Sequence, residues 1–96
     1  MNESVVQAQI LLELCPMAFR SKRLETFDGH WDLFPMMSPI DLAKYGFYYF
    51  GNAFHPDLVR CCYCGGKIYA WDAHDTALGE HKRLLPNCPV FGRPRG

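Results

Sequence analysis

Apolar positions along this chain fall into short clusters divided by turn-forming residues, and each cluster has its own spacing. Val5, Val6, Ala8, Ile10, Leu11, Leu12, Leu14 and Cys15 run between a capping-box pair, Ser4 and Gln7, and a stop at Pro16. That pattern predicts a helix over residues 4–14. Its apolar side chains cover more than one helical face, so it either packs on the domain's own core or self-associates or docks a partner. Ser21 as N-cap predicts a short helix through Phe27, with Glu25 one residue too late to complete a capping box. A loop holding Trp31 and Pro35 follows. Ser38-Pro39 then starts a third helix through Leu42, Ala43 and Lys44, until Gly46 stops it.

The period changes after Gly46. The aromatic run Phe47-Tyr48-Tyr49-Phe50 reads as a strand, Asn52 to Asp57 as a hairpin loop, and residues 58–61 as a second strand. Residues 68–71, Ile-Tyr-Ala-Trp, give a third strand. Short strands with tight connections predict an antiparallel meander. A polar loop from Asp72 leads to a helix over residues 76–85, with Asp75 as N-cap and Pro86 as terminator. The expected class is α+β, a three-stranded antiparallel sheet surrounded by short helices. The expected division is a helical extension over 1–18, a domain over 19–92 and a tail over 93–96.

Composition adds scale. Ninety-six residues, 49% of them apolar and 15% aromatic, suit one small domain with a limited core. Lysine plus arginine equals aspartate plus glutamate, 10 against 10, so no basic footprint points to nucleic acid. The N-terminal apolar run is too short to span a bilayer and lacks the flanks of a signal peptide. No membrane association is expected, and a cytoplasmic or nuclear location follows.

Five cysteines is an odd count for a disulfide framework. Cys61, Cys64, His81 and Cys88 instead give C-x2-C-x16-H-x6-C. Two thiolates on one tight turn, answered by a His and a Cys about two helical turns apart, supply a tetrahedral donor set. Mixed sulfur and imidazole suits Zn²⁺, and four protein ligands leave no open position for catalytic water. One structural zinc is predicted, joining sheet to helix. Gly65 and Gly66 suit a turn that brings amides close to sulfur. Cys15 and Cys62 are left over and read as reduced, semi-buried thiols. His30, His55 and His74 lack a nucleophile or base nearby and read as surface histidines.

Arg23-Leu24-Glu25-Thr26-Phe27 with Trp31, then residues 42–51, then Asp57 to Gly65, Trp71, His81 and Pro86-Asn87-Cys88 together resemble a baculovirus IAP repeat, the BIR domain of inhibitor-of-apoptosis proteins. The resemblance runs from Arg23 to about Phe91. It implies the small zinc-stabilised BIR fold and a binding module without catalytic activity. Many BIR domains capture the free N-terminus of a peptide beginning with alanine. By this resemblance Lys67, Ile68 and Tyr69 present a strand edge, Trp71 walls the alanine side chain, and Asp75 and Glu80 face the ammonium. Each has a plainer role available: Trp71 fills the core, Asp75 caps a helix, Glu80 is solvated.

The chain departs from the family at Leu84, where groove-competent members commonly carry a second aromatic. In this it is similar to first repeats, whose grooves are shallow and which bind adaptor or signalling proteins through another surface. Residues 52–56 also form a longer hairpin loop than is usual. Two functions follow from these readings. One is capture of pro-apoptotic antagonists or processed caspases through their N-terminal peptides. The other is an adaptor-binding or self-association module using residues 4–15, with a vestigial groove. Family members often add further repeats or a RING domain with ubiquitin-ligase activity. No RING ligand set is present in this sequence, and its ending at Gly96 suggests a piece of something longer.

Overall fold

A computed structural model describes residues 15–91. The predicted helix over residues 4–14 and the 93–96 tail lie outside them. A 3-10 turn, Pro16–Ala18, leads into helix α1, Arg20–Glu25, and helix α2 spans Pro39–Lys44. Strands β1, Phe47–Tyr49, β2, Val59–Cys61, and β3, Lys67–Ile68, follow, then helix α3, Ala77–Leu84, and a 3-10 turn, Pro89–Phe91. The sheet has three antiparallel strands in the order β1-β2-β3. Among the described residues no helix is long and apolar enough to cross a membrane.

Strand alternation sorts the side chains of this sheet. Phe47, Val59, Cys61 and Ile68 are buried on the inner face, where Phe27, Met37, Leu42, Trp71, Ala77 and Cys88 complete the core. Cross-strand partners Phe47–Cys61 and Val59–Ile68 hold this register. Between them, Tyr48, Arg60 and Lys67 form a second row that points to the outer face.

Helix α2 starts as its sequence demands. The Ser38 hydroxyl accepts from the Ile40 amide at 3.2 Å, and Pro39 takes the first helical position. Gly46 follows the helix with φ +98°, and a Cβ there would sit 2.8 Å from the Tyr63 ring. Only glycine satisfies both the backbone and the packing.

Helix α1 differs from expectation. It begins at Arg20 after Phe19, which caps it without a side-chain bond, so Ser21 lies inside the helix. Tertiary bonds place it instead. The buried Arg23 guanidinium donates to the Ala43 carbonyl at 2.9 and 2.7 Å and to the Met17 carbonyl at 3.0 Å. At the other end, the Thr26 hydroxyl donates to the Arg23 carbonyl and accepts from the Tyr49 amide, tying α1 to β1.

The third strand is also shorter than the predicted 68–71. The Asp57 carboxylate accepts from the Ala70 amide at 2.7 Å and the Trp71 amide at 3.1 Å, and Ala70 takes φ +61°. A side chain thus claims the amides that a longer strand would have used. β1 and β2 are each one residue shorter than expected, because residues 50–58 close the hairpin around Asn52. Its side-chain oxygen accepts from the Phe54 and His55 amides.

Candidate functional site

The turn after β2 presents two of the four candidate ligands. Gly65 has φ +74°, and its amide donates to the Cys61 carbonyl at 2.9 Å, closing the turn. The Tyr63 amide points at Cys61 Sγ, 3.3 Å away, and the Gly66 amide at Cys64 Sγ, 3.4 Å away. Amides aimed at sulfur stabilise thiolate charge. Helix α3 supplies His81, and the segment after it supplies Cys88.

These four side chains meet. The ligand atoms of Cys61, Cys64, His81 and Cys88 all lie within 4.8 Å of one another, with three of the residues buried and Cys64 exposed. Cys61 Sγ and Cys88 Sγ are 3.5 Å apart. A tetrahedral zinc with Zn–S bonds of about 2.3 Å requires sulfur–sulfur edges of about 3.8 Å, so the cluster has the right size.

The imidazole fits the same demand. His81 is fully buried between Phe47 and Phe91, with ring centroids 4.3 and 4.8 Å away. Neither ring nitrogen makes a hydrogen bond of good geometry, an unusual state for a buried polar group. Burial holds its pKa below the ordinary 6.5, opposed by the Tyr45 backbone, so the ring is neutral as a ligand must be. Burial also pushes the Cys61 thiol up to about 12, against the pull of the Cys64 and Tyr63 amides. A bare thiolate is therefore disfavoured here, and a dication is the partner that ionises it. The donor set, its size and its two orphaned nitrogens all fit zinc. With four protein donors such an ion fixes structure and offers no open position for substrate.

The peptide-edge candidates are more dispersed. β3 is an edge strand, with Lys67 exposed and Ile68 buried, and α3 packs beside it. Tyr69 is exposed and lies against His55 with centroids 4.3 Å apart and the rings tilted by 42°. Trp71 is 7% exposed, lies edge-on to Phe47 and donates its indole N–H to the Asp57 carbonyl. Asp75 does not cap α3. The Thr76 hydroxyl does, accepting from the Gly79 amide at 2.9 Å, while the Asp75 carboxylate accepts from the Asp72 amide at 2.7 Å. Glu80 pairs with the exposed Arg83 at 2.6 Å, and that guanidinium holds its carboxyl below the usual range. Leu84 is 44% exposed beside Cys64 and Asn87, whereas Asp75 faces a separate depression lined by Met36, Asp41 and Tyr45.

Two residues that organise this region lie inside the stretches of the family resemblance, but no spacing or local pattern gives their roles. Asp57 fixes the end of β3 and the Trp71 indole together. Arg23 also reaches the zinc turn, with Nη1 3.5 Å from Cys62 Sγ and its guanidinium 5.7 Å from the Tyr63 ring centroid. A polar residue near a turn and an arginine in a helix look ordinary until the fold brings their partners in.

The family described as "BIR: Inhibitor of Apoptosis domain" matches residues 23–92. A pig protein named "Putative inhibitor of apoptosis" is 50% identical over 70 residues, 73% of this chain and 18% of that protein. Human "Baculoviral IAP repeat-containing protein 3" is 47% identical over 77 residues, 80% of this chain and 12% of that protein. The chain thus spans less than a fifth of either relative. Among solved structures, the "Crystal structure of DIAP1 BIR1 bound to a Grim peptide" superposes with a TM-score of 0.70 at 30% identity, covering 82% of this chain and 77% of that one.

Proposed function

The chain belongs to the BIR family of inhibitor-of-apoptosis domains, and from that premise we propose an anti-apoptotic module that captures the free N-terminus of alanine-type peptides. The peptides come from pro-apoptotic antagonists or processed caspases. The observation that carries this is the β3 edge, Lys67–Ile68, left without a further strand among the described residues and flanked by α3 and the Trp71 indole. An incoming extended peptide pairs with that edge through its main chain. Its small first side chain sits against Trp71, and its ammonium meets Asp75 and Glu80, sharing Glu80 with Arg83. The Grim-bound structural neighbour supports this mode. One structural zinc, held by Cys61, Cys64, His81 and Cys88, fixes the scaffold. A reducing compartment, cytoplasm or nucleus, suits its thiol ligands.

The test is an alanine-starting peptide titrated against Asp75→Asn, Glu80→Gln and the double variant. Affinity should fall severalfold in each, because exposed charge pairs contribute only about 0–1 kcal/mol apiece. Unchanged affinity in the double variant overturns the assignment of these carboxylates.

The exposure of Leu84 favours a second reading, a shallow-grooved module that binds adaptors or itself through residues 4–15. Sedimentation of the chain with and without residues 1–15 decides the self-association half. A monomer in both cases removes it.

A further inference from the structure

The outer face of the sheet holds a side-chain arrangement that the zinc site does not use and that meets the β3 edge only at Lys67. Arg60 on β2 and Lys67 on β3 are direct cross-strand partners. Like charges in that position repel. Both also converge on one ring. The Arg60 guanidinium lies 5.2 Å and the Lys67 ammonium 5.4 Å from the centroid of Phe50. Tyr48 packs edge-on to the same ring at 6.1 Å.

Among the described residues no carboxylate forms an ion pair with either cation. The ion pairs among the described residues are Lys22–Glu25 and Arg83–Glu80, and neither involves Arg60 or Lys67. Arg60 is half-buried, and its Nε donates to the Gly65 carbonyl at 3.2 Å, so its guanidinium is held in place. Lys67 and Phe50 are exposed. The face is therefore preformed, aromatic and positively charged, and no ion pair among the described residues neutralises it.

We propose that this outer face docks an acidic polypeptide segment. Its carboxylates meet the fixed Arg60 and the mobile-tipped Lys67, and an adjacent apolar side chain lies on Phe50 and Tyr48. Arginine offers a forked donor set matched to a carboxylate. A protein partner fits better than a nucleic acid, because the chain's formal charge is zero and, among the described residues, two cations meet at the Phe50 ring. The face shares Lys67 with the β3 edge, but strand pairing there uses its main chain and the outer face uses its ammonium.

The probe is an N-acetylated peptide of a dozen residues, rich in Asp and Glu with two phenylalanines, titrated into the zinc-loaded chain and followed by amide chemical shifts. Acetylation removes the free amine that the β3 edge would recognise. Binding should perturb Tyr48, Phe50, Arg60 and Lys67 while sparing residues 75–80. It should weaken as ionic strength rises from about 0.05 to about 0.3 M. Lys67→Glu should lower affinity roughly tenfold. Lys67 is exposed, so that variant keeps its fold where Arg60→Glu would disturb the zinc turn; bound zinc and amide dispersion verify this. Four results overturn the proposal: no binding, unchanged affinity in Lys67→Glu, perturbation centred on residues 75–80, or tighter binding of a dodecameric oligouridylate.

Discussion

The zinc site and the β3 edge share one sheet but are built on opposite terms. At the zinc site four side chains converge within 4.8 Å, and His81 is fully buried with its nitrogens otherwise unpartnered. At the edge the candidate residues stay apart, and several already serve another group: Trp71 serves Asp57, Asp75 serves the Asp72 amide, and Glu80 serves Arg83. Removing one zinc ligand strands a buried charge or dipole. Removing Asp75 or Glu80 at the edge only redistributes bonds near the surface, whereas Trp71 also belongs to the core. The carboxylates of the edge can therefore be altered without loss of the fold, whereas loss of a zinc ligand removes fold and edge together.

The largest effect expected is loss of the metal. Replacing Cys88 with Ala, or adding a chelator, should unfold the domain, since structural zinc sites contribute about 10–16 kcal/mol against a total stability of about 5–15 kcal/mol. Circular dichroism with and without chelator checks this, and a fold unchanged by chelation would erase the contrast. Acid acts on the same ligands. Burial lowers the His81 pKa, so the unfolded chain binds a proton more readily than the folded one. Stability should hold through neutral pH and fall as pH drops below the ordinary histidine value of 6.5, read from zinc release against pH.

Next comes Arg23. Its guanidinium satisfies the Ala43 and Met17 carbonyls from a position only 3% exposed. Arg23→Met should cost about 2–4 kcal/mol in denaturant unfolding while leaving zinc stoichiometry intact. Asp57→Ala should cost less, about 1–3 kcal/mol, by freeing the Ala70 and Trp71 amides. It should also weaken alanine-peptide binding more than its stability cost explains, because the Trp71 backbone amide loses the carboxylate that positions it, although the indole keeps its bond to the main-chain carbonyl. Smallest is Thr76→Ala, which removes the α3 cap for about 1 kcal/mol in thermal melts.

The same division explains what the sequence revealed. Coordination chemistry constrains both residue type and spacing, so C-x2-C-x16-H-x6-C was readable, as were Ser38-Pro39 at α2 and Gly46 at its end. Local chemistry sets those features. The start of α1 and the length of β3 differ from expectation for one reason and the cap of α3 for another. Thr76 outcompetes its neighbour Asp75 through a local bond to Gly79, whereas Arg23 takes a carbonyl twenty residues away and Asp57 reaches across to Ala70. Bonds of that longer reach depend on the finished fold. The edge residues were named through family resemblance, since exposed polar positions carry no spacing rule of their own.

The measurement that bears most directly on this account is a titration of the zinc-loaded chain with a fluorescent peptide beginning with free alanine, beside its N-acetylated twin. The account predicts saturable binding of the free amine at least tenfold tighter than of the acetylated peptide, a difference of about 1.4 kcal/mol or more. Equal affinity for the two, or no binding by folded, zinc-loaded protein, would contradict it and move recognition away from the β3 edge.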